Sequence, residues 1–109
     1  MTARVENLTL ENFENLVVDS NQPVLVDFYA DWCAPCRVIG PVVDEFADDH
    51  VDRVGVYKVD VDSSPELAVR FGVRSIPTLV LFRNGTPVET LVGVVTKGQL
   101  NSLVEKPAA

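Results

Sequence analysis

Two cysteines separated by two residues are the part of this sequence best suited to chemistry. Cys33 and Cys36 are the only cysteines among 109 residues. A structural zinc site needs four ligands, and the single histidine, His50, cannot complete one with this pair, so we predict no metal site. A disulfide across so short a loop removes little chain entropy from the unfolded state, which makes a purely stabilising bridge a poor explanation. The spacing therefore favours dithiol–disulfide exchange.

The helix predicted at the cysteine pair explains why this spacing suits thiol chemistry. Cys33 directly follows an apolar run at residues 24–30 and stands at the exposed start of a helix predicted over residues 33–49. Unpaired N–H groups and the positive end of the helix dipole favour a thiolate there. Cys36 lies one turn further on, so both sulfurs can meet on one side. Pro35 fits the first turn, where its missing N–H costs nothing.

Three other side chains near the pair are candidates for assisting it. Asp27 stands inside the apolar run, where a carboxylate is costly unless it is paired or used. It could reach the sulfurs from behind, and the alternative is a hydrogen-bonded structural role. Lys58, on the next predicted strand, is its candidate charge partner, and the alternative is a surface lysine. Trp32 is expected to lie partly exposed beside the sulfur of Cys33, the alternative being core filling.

The pattern of apolar residues predicts the elements that position these side chains. Strands are expected near residues 4–6 and at 24–30, 54–61, 78–82 and 88–92, and helix starts at Thr9, Cys33, Ser63 and Thr96. The helix side chains predicted to face the core are Leu10, Phe13, Val17, Val38, Ile39, Val42, Val43, Phe46, Leu67, Ala68, Phe71, Leu100, Leu103 and Val104. Asn84-Gly85 between the last two strands is typical of a hairpin. The order β-α-β-α-β-α-β-β-α predicts an α/β fold in a single domain over residues 1–109. Its mixed sheet of about five strands has helices on both faces.

Composition excludes several classes of function. Sixteen acidic and nine basic residues give a net charge of −7, and the basic residues are scattered, so we expect no nucleic-acid partner. No apolar run approaches the ~18 residues of a membrane span, and we expect no membrane partner. The first seven residues lack the layout of a secretory signal, which predicts a cytosolic location. Because the chain has no glycine-rich nucleotide-binding loop, we expect no bound cofactor, and electrons must come from a partner.

The stretch at residues 26–36, Val-Asp-Phe-Tyr-Ala-Asp-Trp-Cys-Ala-Pro-Cys, resembles the active-site stretch of the thioredoxin family. Further matches follow in the family's order, at Pro41, Ile76-Pro77-Thr78, Asn84-Gly85, Val92-Gly93 and Lys97-Gly98. The resemblance covers about residues 8–103 and implies the thioredoxin fold. The chain departs from the family in having Ala34 where glycine is usual and Tyr29 where tryptophan is frequent. Ala34 adds a methyl group to the expected docking surface and leaves the chemistry unchanged.

The resemblance also implies roles for individual residues. Cys33 is expected to be the nucleophile and Cys36 the buried, resolving cysteine. Asp27 is expected to act on Cys36 as general acid/base and to be tuned by Lys58. The Ile76–Pro77 bond is expected to be cis and to lie beside the cysteines. An apolar docking rim is implied at Trp32, Ala34, Pro35, Ile76, Pro77, Gly93 and Val94. Of these, Trp32 directly precedes the catalytic pair and Pro35 lies between its two cysteines. Two of these residues have structural alternatives to a role in docking: Gly93 as only a bend in a strand, and Ile76 as only a core residue.

The implied function is general protein disulfide reduction through a mixed disulfide, by a monomer that an NADPH-dependent thioredoxin reductase recharges. One alternative is a more oxidising disulfide oxidase or isomerase on the same fold. Such relatives usually carry histidine before the second cysteine, where this chain has Pro35. The other alternative is a non-catalytic binding subunit or chaperone-like module. The presence of the complete set of active-site residues from Asp27 to Cys36 argues against binding as the sole role, because binding a partner needs no thiols.

Overall fold

A five-stranded mixed β-sheet forms the centre of the fold. The structure is a computed structural model that describes residues 5–106. Its strands are β1 (Glu6–Asn7), β2 (Val24–Tyr29), β3 (Gly55–Asp60), β4 (Thr78–Arg83) and β5 (Thr86–Val92). They lie in the order β1-β3-β2-β4-β5. The first three strands pair in parallel, whereas β4 is antiparallel to both β2 and β5. The predicted mixed sheet is confirmed. β1 begins at the end of the strand predicted near residues 4–6, and Arg4 lies outside the described residues.

Within residues 5–106, four helices cover the two faces of the sheet, as predicted. They are α1 (Leu10–Phe13), which continues as a π-helix over Glu14–Val18, α2 (Ala34–Asp49), α3 (Pro65–Arg70) and α4 (Lys97–Glu105). Alternate residues of the central strand β2 point to opposite faces. Leu25 packs in one core cluster with Ile39 of α2 and Leu100 of α4. Phe28 packs in the other with Phe13 of α1. Asp27 is two residues from Leu25 and therefore faces α2.

Three expectations about the helices are wrong. Val38 is 61% exposed, because α2 is covered only on the side that carries Ile39, and Val38 points away from the sheet. Leu10 is 55% exposed, because it is the first residue of α1 and the helix contacts the core only from Phe13 onward. The N-cap position of the third helix is Ser64, one residue later than expected, and its side chain makes no capping hydrogen bond.

Local signals at the end of the chain do form as predicted. The hydroxyl of Thr96 accepts the N–H of Gln99 at 3.1 Å, and the N–H of Thr96 donates to the Gln99 side chain at 2.8 Å, which makes a capping box at the start of α4. Asn84 and Gly85 have φ angles of 54° and 78°, as a two-residue hairpin turn between β4 and β5 requires. Among residues 5–106, no helix is both long and apolar enough to cross a membrane.

Candidate active site

The two cysteines lie at the first turn of α2, with their sulfur atoms at disulfide distance. Their Cα atoms are 5.2 Å apart, within the range of protein disulfides. Cys33 is the N-cap residue, and its Sγ accepts the backbone N–H of Cys36 at 3.2 Å. An N–H donated to sulfur at a helix start stabilises the thiolate form once the bond is reduced. Pro35 occupies the first turn, as predicted.

Solvent exposure does not separate the two cysteines, contrary to the expectation of an exposed Cys33. Each is 5% exposed. They differ instead in what surrounds them. Cys33 is flanked in sequence by Trp32, which is 68% exposed, and by exposed Ala34. Cys36 lines a cavity between α2 and the sheet, together with Asp27.

The segment before β4 brings a backbone carbonyl to the sulfur. The peptide bond between Ile76 and Pro77 is cis, and the carbonyl oxygen of Ile76 lies 3.8 Å from the Sγ of Cys33. The Ile76 side chain is half-buried against the core, so this residue combines a core contact with a backbone contact at the site. The N–H of Gly93 donates to the carbonyl of Pro77 at 2.8 Å, which holds the segment after β5 beside the cis bond. Gly93 has a φ of 95°, a left-handed conformation that favours glycine.

The residues expected to form a docking rim differ in exposure. Trp32, Ala34, Pro35 and Val94 are exposed, Ile76 and Gly93 are half-buried, and Pro77 is buried. Pro77 thus contributes its backbone rather than an exposed ring. The other six residues belong to three segments that are distant in sequence. The contact between the Ile76 carbonyl and Cys33 and the hydrogen bond between Gly93 and Pro77 bring these segments together.

A hydrogen bond holds the exposed indole of Trp32 at this rim. Its Nε1–H donates to Oδ2 of Asp62 at 2.8 Å, across 30 residues of sequence. Asp62 follows β3, in a turn where its own N–H donates to Asp60 at 2.9 Å. No local pattern identifies Asp62, because its partner belongs to another segment.

Asp27 is buried and incompletely hydrogen-bonded. It is 5% exposed, and its Oδ1 has no hydrogen-bond partner among the described residues. Burial raises the pKa of Asp27 from 3.8 to about 7, with Lys58 lowering it and Asp44 raising it to smaller extents. A carboxyl that titrates near neutral pH can take up or release a proton under physiological conditions.

Lys58 is the residue paired with Asp27 in the β2–β3 register, but the two side chains form no ion pair within 4 Å. The ammonium group instead lies 5.5 Å from the centroid of the Tyr29 ring. Lys58 and Asp27 line the same cavity, so the lysine acts on the carboxyl at a distance.

Sequence reasoning did not identify Asp44, although its spacing carried a signal. The residues Cys36, Gly40 and Asp44 are four apart in α2, so they share one face of the helix. All three line the cavity that also contains Asp27. Within residues 5–106, no group of three or more His, Cys, Asp or Glu side chains is arranged to hold a metal ion.

Comparison with known proteins agrees with this geometry. A family model described as Thioredoxin matches residues 4–106. The chain is 50% identical over 95 residues to a thioredoxin of Alicyclobacillus acidocaldarius, covering 87% of this chain and 90% of that protein. It is 47% identical over 96 residues to a chloroplastic M-type thioredoxin of Chlamydomonas reinhardtii, covering 88% of this chain and 69% of that protein. A solved structure of Malassezia sympodialis thioredoxin (Mala s 13) has a TM-score of 0.83 and 36% identity, covering 92% of this chain and 87% of that one.

A cysteine pair at a helix start, beside a mixed sheet, together with these similarities defines a thiol–disulfide oxidoreductase. The chain belongs to the thioredoxin family. Members of this family act on disulfide substrates and are reduced by a reductase. Because a chloroplastic protein is among the relatives, the cytosolic location stays a prediction.

Proposed function

We propose that this protein is a general protein disulfide reductase. The observation that carries the proposal is the arrangement on the two sides of the cysteine pair. On one side, Cys33 adjoins an exposed apolar rim that includes Trp32. On the other, Cys36 shares a cavity with the buried carboxyl of Asp27. A substrate can therefore approach one sulfur while a proton acceptor serves the other.

The reaction begins when the Cys33 thiolate attacks one sulfur of a substrate disulfide. A mixed disulfide forms, and the other substrate sulfur leaves as a thiolate that takes up a proton. Cys36 then gives its proton to the carboxylate of Asp27, and its sulfur attacks the Sγ of Cys33. The Cys33–Cys36 disulfide closes and the second substrate thiolate is released. Two electrons pass from the protein to the substrate.

Three features support this order of events. The N–H of Cys36 donates to the Sγ of Cys33, which favours Cys33 as the thiolate. The pKa of Asp27, about 7, suits a base that works near neutral pH. The Ile76 carbonyl beside Cys33 marks an edge along which an extended substrate segment can pair.

We further propose that the protein works as a monomer on disulfide-containing proteins and is recharged by an NADPH-dependent flavoprotein reductase. The support is chemical. Each turnover leaves the Cys33–Cys36 pair as a disulfide, so the next turnover needs two electrons from a reductant, and members of the thioredoxin family receive them from a reductase.

An insulin-reduction assay with a recycling reductant tests the proposal. The parent should accelerate precipitation of the insulin B chain catalytically, and a Cys33→Ser/Cys36→Ser double variant should not. The double variant is the matched control, because it keeps the apolar rim and removes both thiols. Equal rates with and without the thiols would indicate a binding module and refute the proposal.

Equilibration with glutathione distinguishes a reductase from an oxidase or isomerase. Pro35 precedes Cys36 and supplies no positive charge to stabilise a thiolate, which favours a reducing pair. We expect a potential below about −220 mV, whereas oxidising relatives lie at roughly −180 to −120 mV. A value in the latter range would contradict the proposal.

A further inference from the structure

The cavity behind Cys36 holds a second carboxylate that the proposed mechanism does not use. Asp27 and Tyr29 of β2 and Lys58 of β3 line the sheet side of this cavity, and Cys36 and Asp44 line the helix side. Its volume is about 200 Å³, which is enough to admit several water molecules. Within the described part of the chain, these five are the titratable groups that line the cavity.

The charges in this cavity do not cancel at Asp27. Lys58 forms no ion pair with Asp27, and its ammonium group lies over the ring of Tyr29. Oδ1 of Asp27 is buried and has no hydrogen-bond partner among the described residues. A like charge on the opposite wall therefore acts on a carboxyl that no direct contact neutralises, and it favours the protonated form.

Gly40 lines the helix side of the cavity. It lies between Cys36 and Asp44 on the same helix face, and a Cβ added there would meet nothing within 4 Å. Glycine is unfavourable in a helix interior relative to alanine, and packing does not require it here.

We propose that Asp44 is a positioning residue of the exchange reaction: its negative charge, on the helix wall of the cavity, holds the proton on Asp27 near neutral pH and so sets the pH at which Cys36 can give up its own proton. The inference rests on the proposed role of Asp27 as the base toward Cys36. Asp44 contacts neither substrate nor sulfur in this role and acts only through Asp27.

Reaction of the reduced protein with an aromatic disulfide such as Ellman's reagent separates the two thiol steps. The first release of the coloured thiolate reports attack by Cys33, and the second reports attack by Cys36 on the mixed disulfide. In Asp44→Asn and Asp44→Ala, the pH midpoint of the second phase should fall by roughly half a unit, which makes that phase about two- to threefold faster at pH 6. The first phase should keep its rate, whereas a merely structural defect would change both phases.

Three further variants control for charge and position. Asp44→Glu keeps the charge and should restore the parent midpoint. Glu45→Gln makes the same charge change at the next residue of α2, where Glu45 pairs with Lys97 of α4, and should leave the midpoint in place. Lys58→Met removes the opposite charge and should raise the midpoint. An unchanged midpoint in both Asp44→Asn and Asp44→Ala, or an equal change in Asp44→Glu, would overturn the inference.

A ¹³C NMR titration of the Asp27 carboxyl separates this inference from the proposed function. Asp44→Asn should lower the pKa of Asp27 in the titration, whether or not the protein reduces insulin. If insulin is reduced and the pKa of Asp27 does not change, the inference fails while the proposed function stands. If the pKa changes but Asp27→Asn leaves the second phase unaltered, Asp27 is not the base, and both the proposed proton step and the inference fail.

Discussion

Replacing Asp27 by asparagine should stabilise the folded protein at pH 8, because the substitution removes a carboxylate that folding takes out of water. Asp27 is 5% exposed, and burial raises its pKa from 3.8 to about 7. The folded pKa is therefore about three units above the ordinary one. At ~1.4 kcal/mol for each unit, the ionised carboxyl costs the fold about 4 kcal/mol.

The pH dependence of this cost has a definite sign. Below pH 3.8 the carboxyl is protonated in both states, and ionisation imposes no penalty. Between 3.8 and about 7 the unfolded chain has released the proton and the folded protein retains it, so the free energy of unfolding falls as pH rises. Above about 7 the penalty is constant. The advantage of Asp27→Asn should therefore be greatest at pH 8 and should approach zero near pH 4.

Urea denaturation of the oxidised parent and variant at pH 4, 6 and 8 measures this difference, provided that the m-values agree. Glu66→Gln is the matched control, because it replaces an exposed carboxylate of α3. It should change the free energy of unfolding by less than about 0.5 kcal/mol at any pH. A stability difference between Asp27→Asn and the parent that does not change with pH would refute the reasoning. Lower stability of Asp27→Asn at pH 8 would show that the carboxylate is well paired.

Three further outcomes are expected. Cys36→Ser should accumulate mixed disulfides with substrate proteins and Cys33→Ser should not; trapping through Cys33→Ser, detected on non-reducing gels, would reverse the two roles. Asp62→Asn should weaken the hydrogen bond that orients Trp32 and raise the KM for insulin, with thermal stability nearly unchanged. An unaltered KM would show that this hydrogen bond does not contribute to substrate docking. Gly85→Ala should destabilise the fold by about 1 kcal/mol or more, because the φ of 78° at this position disfavours a side chain. The added Cβ would also lie 3.1 Å from the backbone of Val18, in the π-helix that continues α1. Equal urea midpoints of variant and parent would contradict this prediction.

Much of the fold was predictable because its signals are local. The capping box at Thr96 and the left-handed turn at Asn84 and Gly85 depend on interactions within four residues, and each formed where the sequence indicated. The same holds for the cysteine pair, whose spacing and helix-start position are properties of one turn of chain. Strand and helix order then restricts the topology to a mixed sheet with helices on both faces.

Burial at helix edges was less predictable. Val38 and Leu10 are apolar and fit the helical period of their neighbours, yet both are exposed. Periodicity identifies which residues share a face, whereas burial depends on how far the opposing surface extends. That extent is set by elements elsewhere in the chain.

The sequence by itself determined which residues could do thiol chemistry, since Cys33, Pro35 and Cys36 act within a single helical turn. Only the tertiary structure decided what surrounds them. It brings the Ile76 carbonyl to one sulfur across 43 residues, and it places Cys36, Asp27 and Asp44 on the walls of one cavity. The pKa of a carboxyl depends on the water and charges within a few ångströms in space, and those neighbours come from strands and a helix whose positions are fixed only when the whole core packs.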